Sequence, residues 1–256
     1  MSDLPLINDA VNRSPRLSEN VFQLPSDRSH DPVHCEIGVL KGEGVGTEII
    51  EASLTVLSAI QSVSEATFSI QFGGCIGVEA MAKTGKPLSD EVRLFCQTIF
   101  DRGGAVLSGP GGGRYVYDLR KHFNLFCKLN PLVPHPELRH AGCMKSECID
   151  GVDLIVVREN VGGIYQGEWT EECSSDTGMF AAHRFSYSQN DVARIIEVAA
   201  QLASSRRGKL AVVIKANGIP TVSKLWLACG QELARQYGVE MVPLDVDYAA
   251  YRLIQD

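Results

Sequence analysis

A lysine follows five apolar residues in the stretch LAVVIKANG, Leu210 to Gly218, where a buried strand would end. An ammonium group is costly to bury there unless it is paired, and burial draws its pKa down, which is how a lysine becomes a base near neutral pH. Other polar groups also sit after apolar runs. VDLIVVREN delivers Arg158 and Glu159, GGIYQGE places Tyr165 behind two glycines, and Asp247 follows the apolar MVPLDV. An arginine grips a carboxylate through two parallel N–H bonds, a tyrosine hydroxyl passes a proton, and an aspartate can ligate a hard cation. Each residue also has a plain structural use: the lysine stem can snorkel, the tyrosine can be core with its hydroxyl satisfied, and Arg158 can pair with Glu159. Their joint placement favours a cleft of Arg, Tyr, Lys and Asp.

The elements that would hold such a cleft are legible as an alternation. CEIGVL, TFSIQF, GAVLSG, NLFCKL, VDLIVV, FAAHRFSYS, KLAVVIK and VEMVPLDV are short apolar or alternating runs. Helical spacing separates them over Val45–Ser62, Ile76–Lys83, Asp90–Asp101, Asn190–Ser205 and Val222–Tyr237. Strands alternating with helices predict an α/β fold with helices packed on a largely parallel sheet. The stretch Trp169–Arg184 breaks that rhythm. Residues 1–32, polar and rich in proline, predict a mobile extension; 33–130 then form part of a first domain and 131–256 a second.

Two glycine loops follow strands. GEGVG, Gly42–Gly46, has GxGxG spacing where the dinucleotide fingerprint needs GxGxxG, so a tight turn explains it at least as well as a phosphate cradle. SGPGGGR, Ser108–Arg114, lacks the Lys-Ser/Thr of a P-loop, but loops at strand C-termini in open α/β sheets are where ligands bind. Arg114 and Arg120 are placed there to meet an anion.

With 256 residues and 45% hydrophobic side chains, the chain can bury a real core. A net charge of −7 without a basic run argues against nucleic-acid binding. No apolar run reaches membrane-spanning length and the N-terminus has no signal-peptide core, so the expected location is cytoplasmic. The eight cysteines include no CxxC pair and predict reduced thiols.

Taken in order, RENVGGIYQGE, IKANG followed by a helix containing KLW, and DVDYAAYRLI resemble the consecutive signatures of the isocitrate/isopropylmalate dehydrogenase family of β-decarboxylating enzymes. VLKGEGVGTEI resembles that family's opening strand, turn and helix, with Glu43 where an aspartate is usual, and DLRKHFNLFCKLNP its substrate-arginine segment. The resemblance runs from about Cys35 to the last residue. It implies a doubly wound sheet in a large, here incomplete, domain, plus a smaller α/β domain whose arm, around Trp169–Arg184, interlocks two subunits. It further implies oxidation of a malate-like 2-hydroxy acid by NAD or NADP with Mg2+ or Mn2+, followed by decarboxylation. By position, Arg120 and Arg158 would hold substrate carboxylates, with Arg114 and Asn217 of IKANG beside them. Tyr165 would protonate the enolate, Lys215 would take the hydroxyl proton and Asp247 would ligate the metal. No cofactor-binding residue is assigned. In the family, the positions of Lys215 and Asp247 serve the neighbouring subunit's site.

Two departures stand out. Asn130 occupies the place of a third substrate arginine, and a neutral amide does not replace a bidentate cation. Family members also continue past the point matching Asp256, with two further metal aspartates and the adenine-side loops. The leading expectation is therefore the dehydrogenase reaction on a small di- or tricarboxylate, in a homodimer or a hetero-oligomer with a relative. The alternatives are a non-catalytic or regulatory relative that binds the acid without turnover, and one half of a split enzyme.

Overall fold

The computed structural model describes residues 34–255 apart from 139, 143 and 175–177. The expected extension over 1–32 lies outside the described residues. The described residues divide into two compact units, one ending at Asn124 and one beginning at Leu125.

In the first unit, β1 (His34–Leu40), β2 (Thr67–Phe72) and β3 (Ala105–Ser108) form a parallel sheet in the order β2-β1-β3. Parallel neighbours need crossovers, supplied by α1 (Gly46–Val63) between β1 and β2 and by α2 (Gly77–Thr84) and α3 (Asp90–Asp101) between β2 and β3. Helix α3 starts where Ser89 accepts from the Val92 amide at 3.2 Å, with Asp90 and Glu91 in the positive first turn. Its Val92 and Cys96 join Leu40, Ile76, Leu88, Tyr115 and Leu119 in one buried cluster. Gly38 of β1 lets α3 lie close, because a Cβ there would stand 2.8 Å from Ile99. Helix α1 forms as its spacing predicts, yet Ile49, Val56, Ile60 and Val63 are exposed and only Gly46 and Ile50 are buried. Helix α4 (Tyr115–His122) closes this unit, an element that the glycine-rich run before it hides in the sequence.

Among the described residues the second unit contains three two-stranded ladders. β4 (Cys127–Leu132) runs antiparallel to β5 (Leu154–Glu159), a pairing that simple alternation does not foretell. Helix α5 (Ser146–Ile149) lies between them in sequence. β6 (Glu168–Ser174) and β7 (Gly178–Arg184) make an antiparallel ribbon whose described residues are all exposed. β8 (Lys209–Ile214) pairs in parallel with β9 (Glu240–Asp245). Helix α6 (Gln189–Ser204) opens with a capping box in which Ser188 Oγ accepts from the Asp191 amide at 3.1 Å and Asp191 Oδ2 accepts from the Ser188 amide at 3.2 Å. Helix α7 (Pro220–Tyr237) begins on proline and stops at Gly238, whose φ of 64° suits a left-handed cap. Val192, Ile195, Ile196, Ala199 and Ala200 of α6 pack with Leu210, Val212, Cys229 and Leu233 to form the core. β8 buries Leu210 and Val212 and exposes Ala211 and Val213, the period of a strand covered on one face. Helix α8 (Val246–Gln255) follows β9 directly. The cysteines among the described residues are all free thiols, and no described helix is long and apolar enough to cross a membrane.

Candidate active site

The strand register of β8 and β9 brings together the lysine and the aspartates that follow. Ile214 pairs with Asp245, so Lys215 and Asp247 leave the same end of the ladder. Lys215 Nζ donates to Asp245 Oδ1 at 3.2 Å and also contacts Asp247 Oδ2 closely. The Lys215 amide donates to Ser223 Oγ at 3.3 Å, and its carbonyl accepts from the Ile219 amide at 2.9 Å, which fixes the turn carrying the exposed Asn217 into α7. The sequence predicts a desolvated lysine of lowered pKa; the structure corrects this. The Lys215 side chain keeps 40% of its surface exposed, and the hydrogen bonds from Asp247 and then Asp245 raise its pKa. Pairing outweighs desolvation here because the strand end opens to solvent. Asp245, whose own pKa the Lys215 hydrogen bond lowers, is a participant that the sequence reading missed. Its signal was its place two residues before Asp247 at the end of an apolar strand.

Arg158 and Tyr165 form a second group in the same unit. β5 ends on Arg158 and Glu159, and alternation sends adjacent side chains to opposite faces. The Arg158 guanidinium lies over the Tyr165 ring, 5.1 Å from its centroid. Tyr165 is 51% exposed on the 3-10 turn Gly163–Gln166. Glu159 is buried, and its carboxylate accepts from the amides of Val161 and Gly162 at 3.0 and 2.8 Å. Arg194 of α6 approaches it to 3.7 Å. Arg194, on a helix that only tertiary structure brings near, is thus an ion partner of Glu159. Tyr187 packs on the same turn, and burial followed by the Glu159 charge pushes its phenol up to about 12. Asn130 is half-buried on β4, opposite Val156.

Arg114 and Arg120 belong to the unit ending at Asn124. Both guanidiniums lie over Tyr117 of α4, at 4.8 and 6.0 Å. Tyr117 is a ring at three-residue spacing from each arginine, a signal visible only once that segment is known to be helical. In the same unit the turns after β1 and β3 are tied together. The Glu43 amide donates to the Pro110 carbonyl at 2.8 Å, and the Glu43 carboxylate accepts from Gly112 at 2.6 Å and from the Glu79 amide at the start of α2 at 2.7 Å. Those backbone bonds lower the Glu43 pKa. The carboxylate thus ties the GEGVG turn to the loop after β3 and to the start of α2, a structural use for the residue in that turn.

A hard divalent cation takes six or more oxygen ligands. Among the described residues no three His, Cys, Asp or Glu side chains gather to hold a metal. Asp245 and Asp247 converge, but on an ammonium whose charge repels a cation. These residues by themselves do not complete a metal site.

Comparison with known proteins gives these groups a context. The family model for isocitrate/isopropylmalate dehydrogenase matches residues 36–256. The 3-isopropylmalate dehydrogenase of Desulfitobacterium hafniense is 34% identical over 236 residues, covering 86% of this chain and 64% of that protein. That of Bacillus licheniformis is 32% identical over 233 residues, covering 85% of this chain and 61% of that protein. The crystal structure of isocitrate dehydrogenase from Methylococcus capsulatus superposes with a TM-score of 0.72 at 26% identity, covering 87% of this chain and 63% of that one. The chain thus spans about three fifths of the length of the curated relatives it matches. From residue 36 to residue 256, this chain belongs to the isocitrate/isopropylmalate dehydrogenase family.

Proposed function

We propose that the chain serves the oxidative decarboxylation of a malate-like 2-hydroxy acid, of the 3-isopropylmalate, isocitrate or tartrate type. The observation that carries this reading is the convergence of Lys215 and Asp247 at adjoining strand ends in a chain of this family. By family position, Arg158 and Arg120 each hold a substrate carboxylate, and Arg114 and Asn217 are further substrate-binding residues; the planar guanidinium suits two-point contact. Lys215 takes the proton of the 2-hydroxyl as the neutral amine, having released its own proton to the solvent that reaches the open strand end, and Tyr165 returns a proton to the enolate left after CO2 departs. The Lys215 pairing with two carboxylates means that substrate binding must break these contacts before the amine can accept a proton. NAD or NADP, when bound, would supply the hydride acceptor, and no residue of this chain is assigned to hold it. Asp247, once released from Lys215, would offer one ligand toward Mg2+ or Mn2+, which would acidify the hydroxyl being oxidised.

We further propose that the chain works as a dimer, with itself or with a family relative. The ribbon β6–β7 supports this, because it carries Trp169, Met179 and Phe180 on its exposed surface. Large exposed apolar groups on one projecting element suit a partner surface.

Calorimetric titration with 3-isopropylmalate, isocitrate and tartrate tests the reading. At least one should bind, and Arg158→Gln should weaken it roughly tenfold or more, the loss of a charge-assisted bidentate contact. Absence of binding by every 2-hydroxy acid, or binding indifferent to Arg158, contradicts it.

A further inference from the structure

We propose that Glu159 is a positioning residue for Tyr165, its buried carboxylate holding the turn that carries the phenol. The role of Tyr165 rests on the function proposed above; its placement by Glu159 does not.

Glu159 ends β5, and its side chain is 1% exposed. Both oxygens are spent on the chain immediately ahead, Oε1 on the Val161 amide at 3.0 Å and Oε2 on the Gly162 amide at 2.8 Å. A carboxylate that accepts from backbone amides two and three residues on closes the chain into a tight loop, and charge makes such bonds about twice as strong as neutral ones. The burial cost is met from α6, where Arg194 lies 3.7 Å from Glu159 and 3.1 Å from Asp191. Removing one partner of such a buried pair leaves a charge uncompensated, so the three groups act together.

The opposite side of the loop is closed by Tyr187. A Cβ on Gly162 would stand 3.1 Å from the Tyr187 ring and 3.3 Å from Glu159 Oε2, and a Cβ on Gly163 would fall on the Tyr187 hydroxyl. Gly163 also has a φ of 68°, a conformation that residues with side chains rarely adopt. The loop is therefore gripped between a carboxylate and a phenol, with no room for a side chain at Gly163 and little at Gly162. The 3-10 turn Gly163–Gln166 starts from this fixed point, and two residues later Tyr165 meets Arg158, the neighbour of Glu159 on β5. One strand end thus sets both the arginine and the ring that lies against it.

The test places 3-fluorotyrosine at position 165 of the full chain and follows its fluorine resonance together with amide exchange. Glu159→Gln keeps the size but turns one acceptor oxygen into an NH2 group. Exchange at Val161 and Gly162 should speed up at least tenfold, and the Tyr165 resonance should shift or split. If Glu159→Gln does not fold, Gly163→Ala tests the same loop from the other side. It should displace the resonance, and adding Tyr187→Phe, which removes the oxygen in the way, should bring it part of the way back. An unchanged Tyr165 resonance in a folded Glu159→Gln chain whose amides have loosened overturns the proposal, as does an unchanged one in Gly163→Ala. A different result separates the functional reading: if Tyr165→Phe leaves decarboxylation by the active assembly intact while the resonance shifts as described, the role of Tyr165 falls and the positioning stands.

Discussion

Lys215 Nζ donates to Asp245 Oδ1 at 3.2 Å across the ends of two parallel strands, β8 and β9. With Asp247 on the same ammonium, the lysine is held in its charged form, and its pKa is raised. A group whose folded pKa lies above its unfolded one stabilises the fold below the unfolded value, about 10.4 for lysine, and loses that contribution as pH rises through the folded value. Asp245→Asn should lower the Lys215 pKa. Two-dimensional NMR of the reductively methylated amine checks this, and an unchanged titration would show that Asp247 alone sets it.

Glu43 leads to a prediction of the opposite sign. Its carboxylate pKa is lowered by the amides of Gly112, Glu79 and Val78. A depressed carboxylate contributes above its unfolded pKa, about 4.3, and the contribution fades as pH falls through the folded value. Exchange protection at Gly112 and Glu79 should therefore persist at pH 6 and weaken in acid before the sheet does. Glu43→Gln should show the weakened state at neutral pH, and equal protection in both chains at pH 6 would count against the clamp.

Asn130 should set a preference among substrates. A guanidinium lost from a carboxylate site removes about 1.5–3 kcal/mol of charge-assisted bonding, on the order of ten- to a hundredfold in affinity. Isocitrate, with three carboxylates, should bind more weakly than a 3-alkyl malate with two. Calorimetry on the assembled protein decides it, and tighter binding of isocitrate refutes the assignment.

The ribbon β6–β7 should carry the self-association. Phe180→Asp, on a residue 54% exposed in the single chain, should leave the fold intact and shift sedimentation at micromolar concentration from dimer to monomer. A wild-type chain that is already monomeric there sinks the dimer proposal.

Most of the fold was legible because local pattern and tertiary structure agree. LAVVIK reads as a strand and is one, since Leu210 and Val212 face the core, and the Asp90–Asp101 helix has its serine cap in the sequence. Helix α4 was not legible, because Tyr115 and Leu119 bury one face among charged residues that hide the period. The grouping of Lys215 with Asp247 follows from two strand ends that the sequence exposes plainly. The ionisation of that group does not, since it depends on how open the ladder end is and on Asp245. The partnership of Glu159 with Arg194, 35 positions away by residue number, needs α6 to pack near the end of β5. No local pattern encodes such a contact.

We propose that Lys215 is the proton acceptor of the family reaction, delivered into a partner's site. It is tested by mixing this chain with the 3-isopropylmalate dehydrogenase of Bacillus licheniformis in which the lysine matching Lys215 has been replaced, and measuring nicotinamide reduction with 3-isopropylmalate and Mn2+. The wild-type chain should restore activity. Lys215→Met, which keeps most of the apolar stem and removes the base, should associate equally well and restore none. Rescue by Lys215→Met as strong as that by the wild-type chain, or a mixed dimer that forms without any rescue, would contradict the account.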